Sequence, residues 1–112
     1  MIKEYYFGSI TINGKSFNYD VEIRWTNEIL RWRRKESHLI DVEDIKRAVE
    51  QSPEVIIIGI GESGVAQVTK EAQKFIREKG IELIIEITGK AVKSFNMKIE
   101  KEEVIGLFHL TC

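Results

Sequence analysis

Three apolar segments, Val55–Ile58, Ile81–Ile87 and Val104–Leu110, alternate with two stretches of helical character, and no other feature narrows the fold as far. The first and last are apolar at nearly every position rather than at every second one, so both faces of those strands must be covered. Strand, helix, strand, helix, strand is the order that right-handed crossovers impose on a mainly parallel sheet. The three segments are therefore expected as adjoining interior strands. Gly80 supplies a stop for the helix that runs to Lys79. Thr69, with Glu71 in the first turn, is a good N-cap for that helix. Thr88 is expected to cap a second, short helix that carries Ala91, Val92 and Phe95.

The first third of the chain has a different period. Phe17, Tyr19, Val21, Ile23 and Trp25 alternate with Asn18, Asp20, Glu22 and Arg24, the pattern of one strand with one buried face. Asn13-Gly14 is suited to a tight turn, and a hairpin closed there sets Ile10 opposite Phe17 and Tyr6 opposite Val21. Ile29 to Lys35, with Leu30 and Trp32 alternating with Arg31 and Arg33, reads as a cation-lined edge strand. Asp41 and Asp44 form a capping pair ahead of a helix with Val42, Ile45, Ala48 and Val49 on one face. That helix must end near Ser52, because Pro53 disfavours helical geometry just before it.

A chain of 112 residues with 43% hydrophobic residues is one domain's worth, and no linker or repeat divides 1–112. No apolar run approaches the ~20 residues of a membrane span. The N-terminus lacks the apolar stretch of a secretory signal, so a cytoplasmic location is the expectation. The single cysteine, Cys112, excludes an internal disulfide and a multi-thiolate zinc site. A net charge of −1 supplies no global field towards nucleic acid or a membrane. The 31% of charged residues, mostly Glu and Lys, leans towards thermophile usage.

Gly59-Ile60-Gly61-Glu62-Ser63-Gly64 has the spacing of a dinucleotide-binding loop directly after a buried strand. Glu86 stands where a ribose-binding carboxylate is expected. Against this, Thr69 places the next helix N-terminus beyond the glycines, Glu62 puts a negative charge in the loop, and a second nucleotide-binding half has no room. A small anion or a plain tight turn fits better, and no cofactor or metal is expected. Between Arg24 and Lys35, Arg24, Arg31, Arg33, Arg34 and Lys35 face one acid, Glu28, with Trp25 and Trp32 interleaved. Such a strip can bind single-stranded nucleic acid, guard a sheet edge, or dock a protein through Trp25, Arg31, Trp32 and Arg34. Nucleic acid is disfavoured because the surrounding chain is acidic. His38, His109 and Cys112 are the only His and Cys residues, and a thiol or metal role would need them close in space.

The motifs Thr88-x-x-Ala91-Val92-Lys93-x-Phe95-Asn96 and Gly106-Leu107-Phe108-His109-x-Thr111-Cys112 resemble those of the Mth nine-three-eight domain family. Trp32-Arg33 followed by His38, and the strand into Gly59-x-Gly61, resemble its other landmarks. Ile60 and Phe95 depart from it, where a polar residue and a Tyr are usual. The resemblance implies a three-layer α/β domain with a mixed, mainly parallel central sheet, helices and an N-terminal β-hairpin. It implies no established enzyme activity. Some eukaryotic relatives act in complex assembly, which implies a non-enzymatic interaction or assembly module with an unidentified protein partner. Self-association is left open. The resemblance carries over Gly59, Gly61, Trp32, Arg33, His38, Thr88, Asn96, His109 and Cys112 as site residues. With Glu62 and Gly64 they form the candidate ligand site of the second reading, a small-molecule or anion binder, with catalysis not excluded.

Overall fold

A computed structural model describes residues 1–112 in full. Along the chain run β1 (Ile2–Tyr6), β2 (Ser9–Ile12), β3 (Lys15–Phe17), β4 (Val21–Arg24), β5 (Ile29–Arg31), β6 (Leu39–Ile40), α1 (Val42–Val49), β7 (Val55–Ile60), β8 (Gln67–Val68), α2 (Lys70–Glu78), β9 (Glu82–Glu86), α3 (Thr88–Lys98) and β10 (Val104–His109). Five strands form the central sheet in the order β5-β4-β10-β7-β9. β10, β7 and β9 are parallel, while β4 and β5 add antiparallel strands at one side. The fold is thus the mixed α/β architecture expected, with three layers.

The apolar runs explain the layers. Val55 and Ile57 of β7 pack towards α3 and the three-stranded sheet β1-β2-β3. Ile56 and Ile58 point the other way, into the core under α1 and α2. All four are fully buried. At about 1.5–3 kcal/mol for each aliphatic side chain removed from water, this one strand anchors both cores. The three parallel strands adjoin as expected, but β9 is not interior. It forms the sheet's far rim, and Leu83, Ile84 and Ile85 are only half-buried.

The N-terminal region differs from the single hairpin expected. β2 and β3 do turn at Asn13-Gly14, both with positive φ, and Ile10 does face Phe17. Tyr6, however, pairs with Ser9 in an earlier hairpin, and Val21 lies between Phe108 and Arg31 in the other sheet. The run from Phe17 to Trp25 is two strands interrupted at Asn18-Tyr19-Asp20, each keeping the same alternation. Glu22 and Arg24, expected on a solvated face, are buried, because α1 covers that face of β4. Their charges are met internally. Glu22 takes Arg24 Nε at 2.8 Å and Arg47 Nε of α1 at 2.9 Å.

The helix starts follow their caps. Asp41 accepts from the Val42 amide at 2.9 Å while Asp44 accepts from the Asp41 amide at 2.8 Å. Thr69 caps α2 through the Ala72 amide at 3.0 Å. Thr88 is a correction: it is the first residue of α3, not its side-chain cap, and its hydroxyl is spent elsewhere.

Candidate functional site

The connection β7–α2–β9 runs over one face of the sheet, and β9–α3–β10 returns over the other. β7 and β9 are neighbours, so the chain departs towards opposite faces from their carboxyl ends. In open α/β sheets that is where ligands bind. Here the crevice is crossed by the chain itself. The Gly61 amide donates to Thr88 Oγ1 at 2.9 Å, Glu62 N to the Thr111 carbonyl at 2.8 Å and Val65 N to the Cys112 carbonyl at 3.3 Å. Gly64 N turns back to the Gly61 carbonyl at 3.3 Å. Thr88 also donates to the His109 carbonyl at 2.6 Å.

Gly61 has φ +100, and a Cβ there would run into the Cys112 carbonyl. Gly59 is tight for a similar reason, since its Cβ would meet Thr88 Oγ1 at 3.0 Å. These glycines therefore serve the close passage of two backbone segments. The Gly61, Glu62 and Gly64 amides are already engaged by protein oxygens, and the next helix begins only after Thr69.

Beside this crossing sits a polar hub centred on Asp20, which the sequence did not single out. Asp20 Oδ2 accepts from Arg34 Nη1 at 2.5 Å and lies 2.7 Å from His109 Nδ1, while Oδ1 accepts from the Leu110 amide at 2.8 Å. Arg34 Nη2 is 3.0 Å from the same His109 nitrogen and donates to the Ser37 carbonyl at 3.0 Å. The guanidinium only donates and the carboxylate only accepts, so Nδ1 serves one or the other according to its tautomer. Nε2 is left facing Thr111 Oγ1 at 3.4 Å. Burial, the largest influence, pushes the Asp20 carboxyl up. The hydrogen bonds from His109, Arg34 and Leu110 and the guanidinium charge outweigh it, holding the group below its ordinary value.

The arginine strip divides in two. Trp32 is buried, its Nε1 donating to the Asp44 carbonyl at 2.9 Å, and Arg34 is buried against Asp20 and the Trp32 ring. Trp25 packs against the core under α1 and α2. Of the four residues expected to dock a protein, only Arg31 is exposed, because the inward positions of an edge segment are claimed by the core. Arg31, Arg33 and Lys35 all lie outward and exposed, and none forms an ion pair. Arg31 rests over the Tyr19 ring at 4.7 Å.

The remaining expected residues do not form one site. His38 is exposed, with its ring centroid 6.2 Å from that of His109. Asn96 staples α3 to β1, accepting from Ile2 N at 2.9 Å and donating to Ile2 O at 2.8 Å. Cys112 is a free, exposed thiol, and Glu62 is exposed. Burial above all, with Glu62 and Asp20 adding to it, pushes the Tyr5 hydroxyl up to about 12. Asp20 was missed because it looked like an ordinary polar position in a period-two pattern, and Lys35 was named in the cationic strip but not among the docking residues.

Residues 2–109 match the model of a family described as a protein of unknown function, DUF498/DUF598. The fold is similar to that of a conserved hypothetical protein, PH1505, from Pyrococcus horikoshii OT3, at 26% identity and a TM-score of 0.92 over 100% of this chain and 99% of that one. It is also similar to a protein named MT938, at 23% identity and a TM-score of 0.85, over 100% and 98% of the two chains. A third similar structure is described as an outer membrane protein from Bartonella henselae, at 26% identity, a TM-score of 0.84 and coverage of 99% and 94%. No helix of this chain is long and apolar enough to cross a membrane.

Proposed function

Because this chain belongs to the DUF498/DUF598 family, the Mth nine-three-eight domain family of unknown function, we propose a role for it from its own surface: a protein-interaction module whose docking surface is the row Arg31, Arg33 and Lys35. One observation carries this reading. Three exposed cations without carboxylate partners project from a segment whose alternate residues, Trp32 and Arg34, are locked into the interior. Long cationic side chains normally cost rotamer entropy when they bind. A backbone already fixed beneath them reduces the further cost of ordering the segment. Their free charge fits an acidic partner surface. A small anion held by the Gly59–Gly64 loop is the weaker reading, since the Gly61, Glu62 and Gly64 amides already donate to protein oxygens.

The test is fluorescence anisotropy with a labelled oligoglutamate, comparing the wild type with the triple variant Arg31→Glu, Arg33→Glu, Lys35→Glu. Affinity should fall with added salt, and the variant should bind at least about tenfold more weakly with an unchanged urea midpoint. Equal binding by both proteins would refute the reading. Trp32→Ala is the wrong variant for this purpose, because it removes a core side chain.

A further inference from the structure

β5 closes one rim of the central sheet and pairs only with β4. Its register is Val21↔Arg31, Glu22↔Leu30 and Ile23↔Ile29. Just outside the ladder, Trp32 N donates to the Asp20 carbonyl at 2.8 Å and Arg24 N to the Glu28 carbonyl at 2.9 Å. Hydrogen-bonded and non-hydrogen-bonded pairs alternate in an antiparallel ladder. The bonded pairs are therefore 20–32, 22–30 and 24–28. By the same alternation, the amides and carbonyls of Ile29 and Arg31 turn away from β4 to the open edge. The Arg31 carbonyl receives Arg47 Nη2 at 2.9 Å. The other three groups have no partner among turns, loops or side chains.

Two depressions of about 400 Å³ each flank this edge, one on each face of the sheet. The first lies towards Glu43, Asp44 and Arg47 of α1, the second towards Tyr19, Asp20, Lys35 and Glu36, and Arg31, Trp32 and Arg33 wall both. Of these acids, Glu43 pairs with Lys46 and Asp20 with Arg34. A strand added at an edge sends successive side chains to opposite faces. Its side chains would enter the two depressions in turn. The charge of the rim selects the occupant. A second copy of this edge would bring two rows of unpaired cations together, which like-charge repulsion disfavours. An acidic segment would meet them favourably.

The geometry points to an extended, acidic peptide segment of a partner protein that adds to β5 as a sixth strand of the central sheet, its carboxylates on Arg31, Arg33 and Lys35. This rests on the cationic row being a docking surface, and adds the mode of docking and the form of the partner.

The test compares a synthetic peptide of alternating Asp and Val with the same peptide N-methylated at alternate amides, which keeps the charge and blocks strand pairing. The unmodified peptide should bind and slow hydrogen exchange at the Ile29 and Arg31 amides. The methylated one should bind at least about tenfold more weakly. If both bind equally and the triple charge reversal abolishes both, strand addition fails while the cationic docking surface survives. If neither binds although oligoglutamate does, the inference again fails alone. If oligoglutamate is also indifferent to the charge reversal, the docking surface falls with it. Slow exchange at Ile29 and Arg31 in the free protein, accompanied by dimerisation in sedimentation, would assign the edge to a second copy and overturn the inference. A single-stranded oligonucleotide binding more tightly than either peptide would also overturn it.

Discussion

Asp20 meets three partners from three parts of the chain: Arg34, His109 and the Leu110 amide. It holds the strip after β5 against the end of β10. Asp20→Asn keeps the size but gives up the charge that Arg34 is buried against. It should cost about 2–4 kcal/mol in urea unfolding, the scale of a buried ion pair losing one partner. The pH dependence has a definite sign. A carboxylate held below its ordinary value stabilises the fold fully above the unfolded pKa of about 3.9 and loses that stabilisation as pH falls through the lower folded value. The difference between wild type and Asp20→Asn should therefore be constant from neutral pH down to about 5 and shrink below that. A difference independent of pH would show that Asp20 acts through shape alone. Nothing in the spacing of the first thirty residues marks Asp20. In the alternation it falls among Asn18, Glu22 and Arg24 as a surface residue. Its three partners lie up to 90 positions away.

At the scale of elements, the glycine loop shows how one motif can serve two physical ends. The G-x-G-x-x-G spacing allows backbone to approach closely, and that approach is realised, with the chain's own carbonyls as the neighbour. Gly61→Ala should cost about 2–4 kcal/mol, combining a positive φ with a Cβ driven into the Cys112 carbonyl. Gly89, near the start of α3, has open space around its Cα, so Gly89→Ala should be neutral or stabilise by about 0.5–1 kcal/mol. Chemical denaturation of the two variants checks both, and equal effects would show that the close crossing is not what Gly61 is for. The helix caps at Asp41 and Thr69 were legible because a cap reaches only three residues along the chain. Thr88 misled for the opposite reason. Its hydroxyl finds partners 27 and 21 positions away, and no local rule anticipates them.

For the whole molecule, strand order decides how much each apolar residue is worth. β7 has a strand on either side and a layer on either face, whereas β9 is open along one edge. Ile57→Ala should cost about 2–5 kcal/mol, including the cavity it leaves. Ile84→Ala, half-buried on β9, should cost roughly 1 kcal/mol, in proportion to the apolar area it covers. Equal losses would mean that β9 is covered in solution. The two rims also differ in chemistry. Glu82 and Glu86 end β9, with Lys98 bridging to Glu82, while β5 continues into the unpaired cations Arg31, Arg33 and Lys35. The sheet therefore presents one edge guarded by acids and one open to them.

The sequence alone determined the parallel core, both helix caps and the Asn13-Gly14 turn, because hydrophobic period, cap chemistry and positive φ are local properties written within a few residues. It could not separate β3 from β4, since two strands in different sheets keep one unbroken alternation. Only the tertiary structure decided which polar residues were interior. It put Glu22, Arg24, Arg34 and His109 inside and left Arg31, Arg33 and Lys35 out. Burial of a charge depends on what the rest of the chain places against it, and that is settled by strand order and layer packing rather than by the residue's neighbours in sequence.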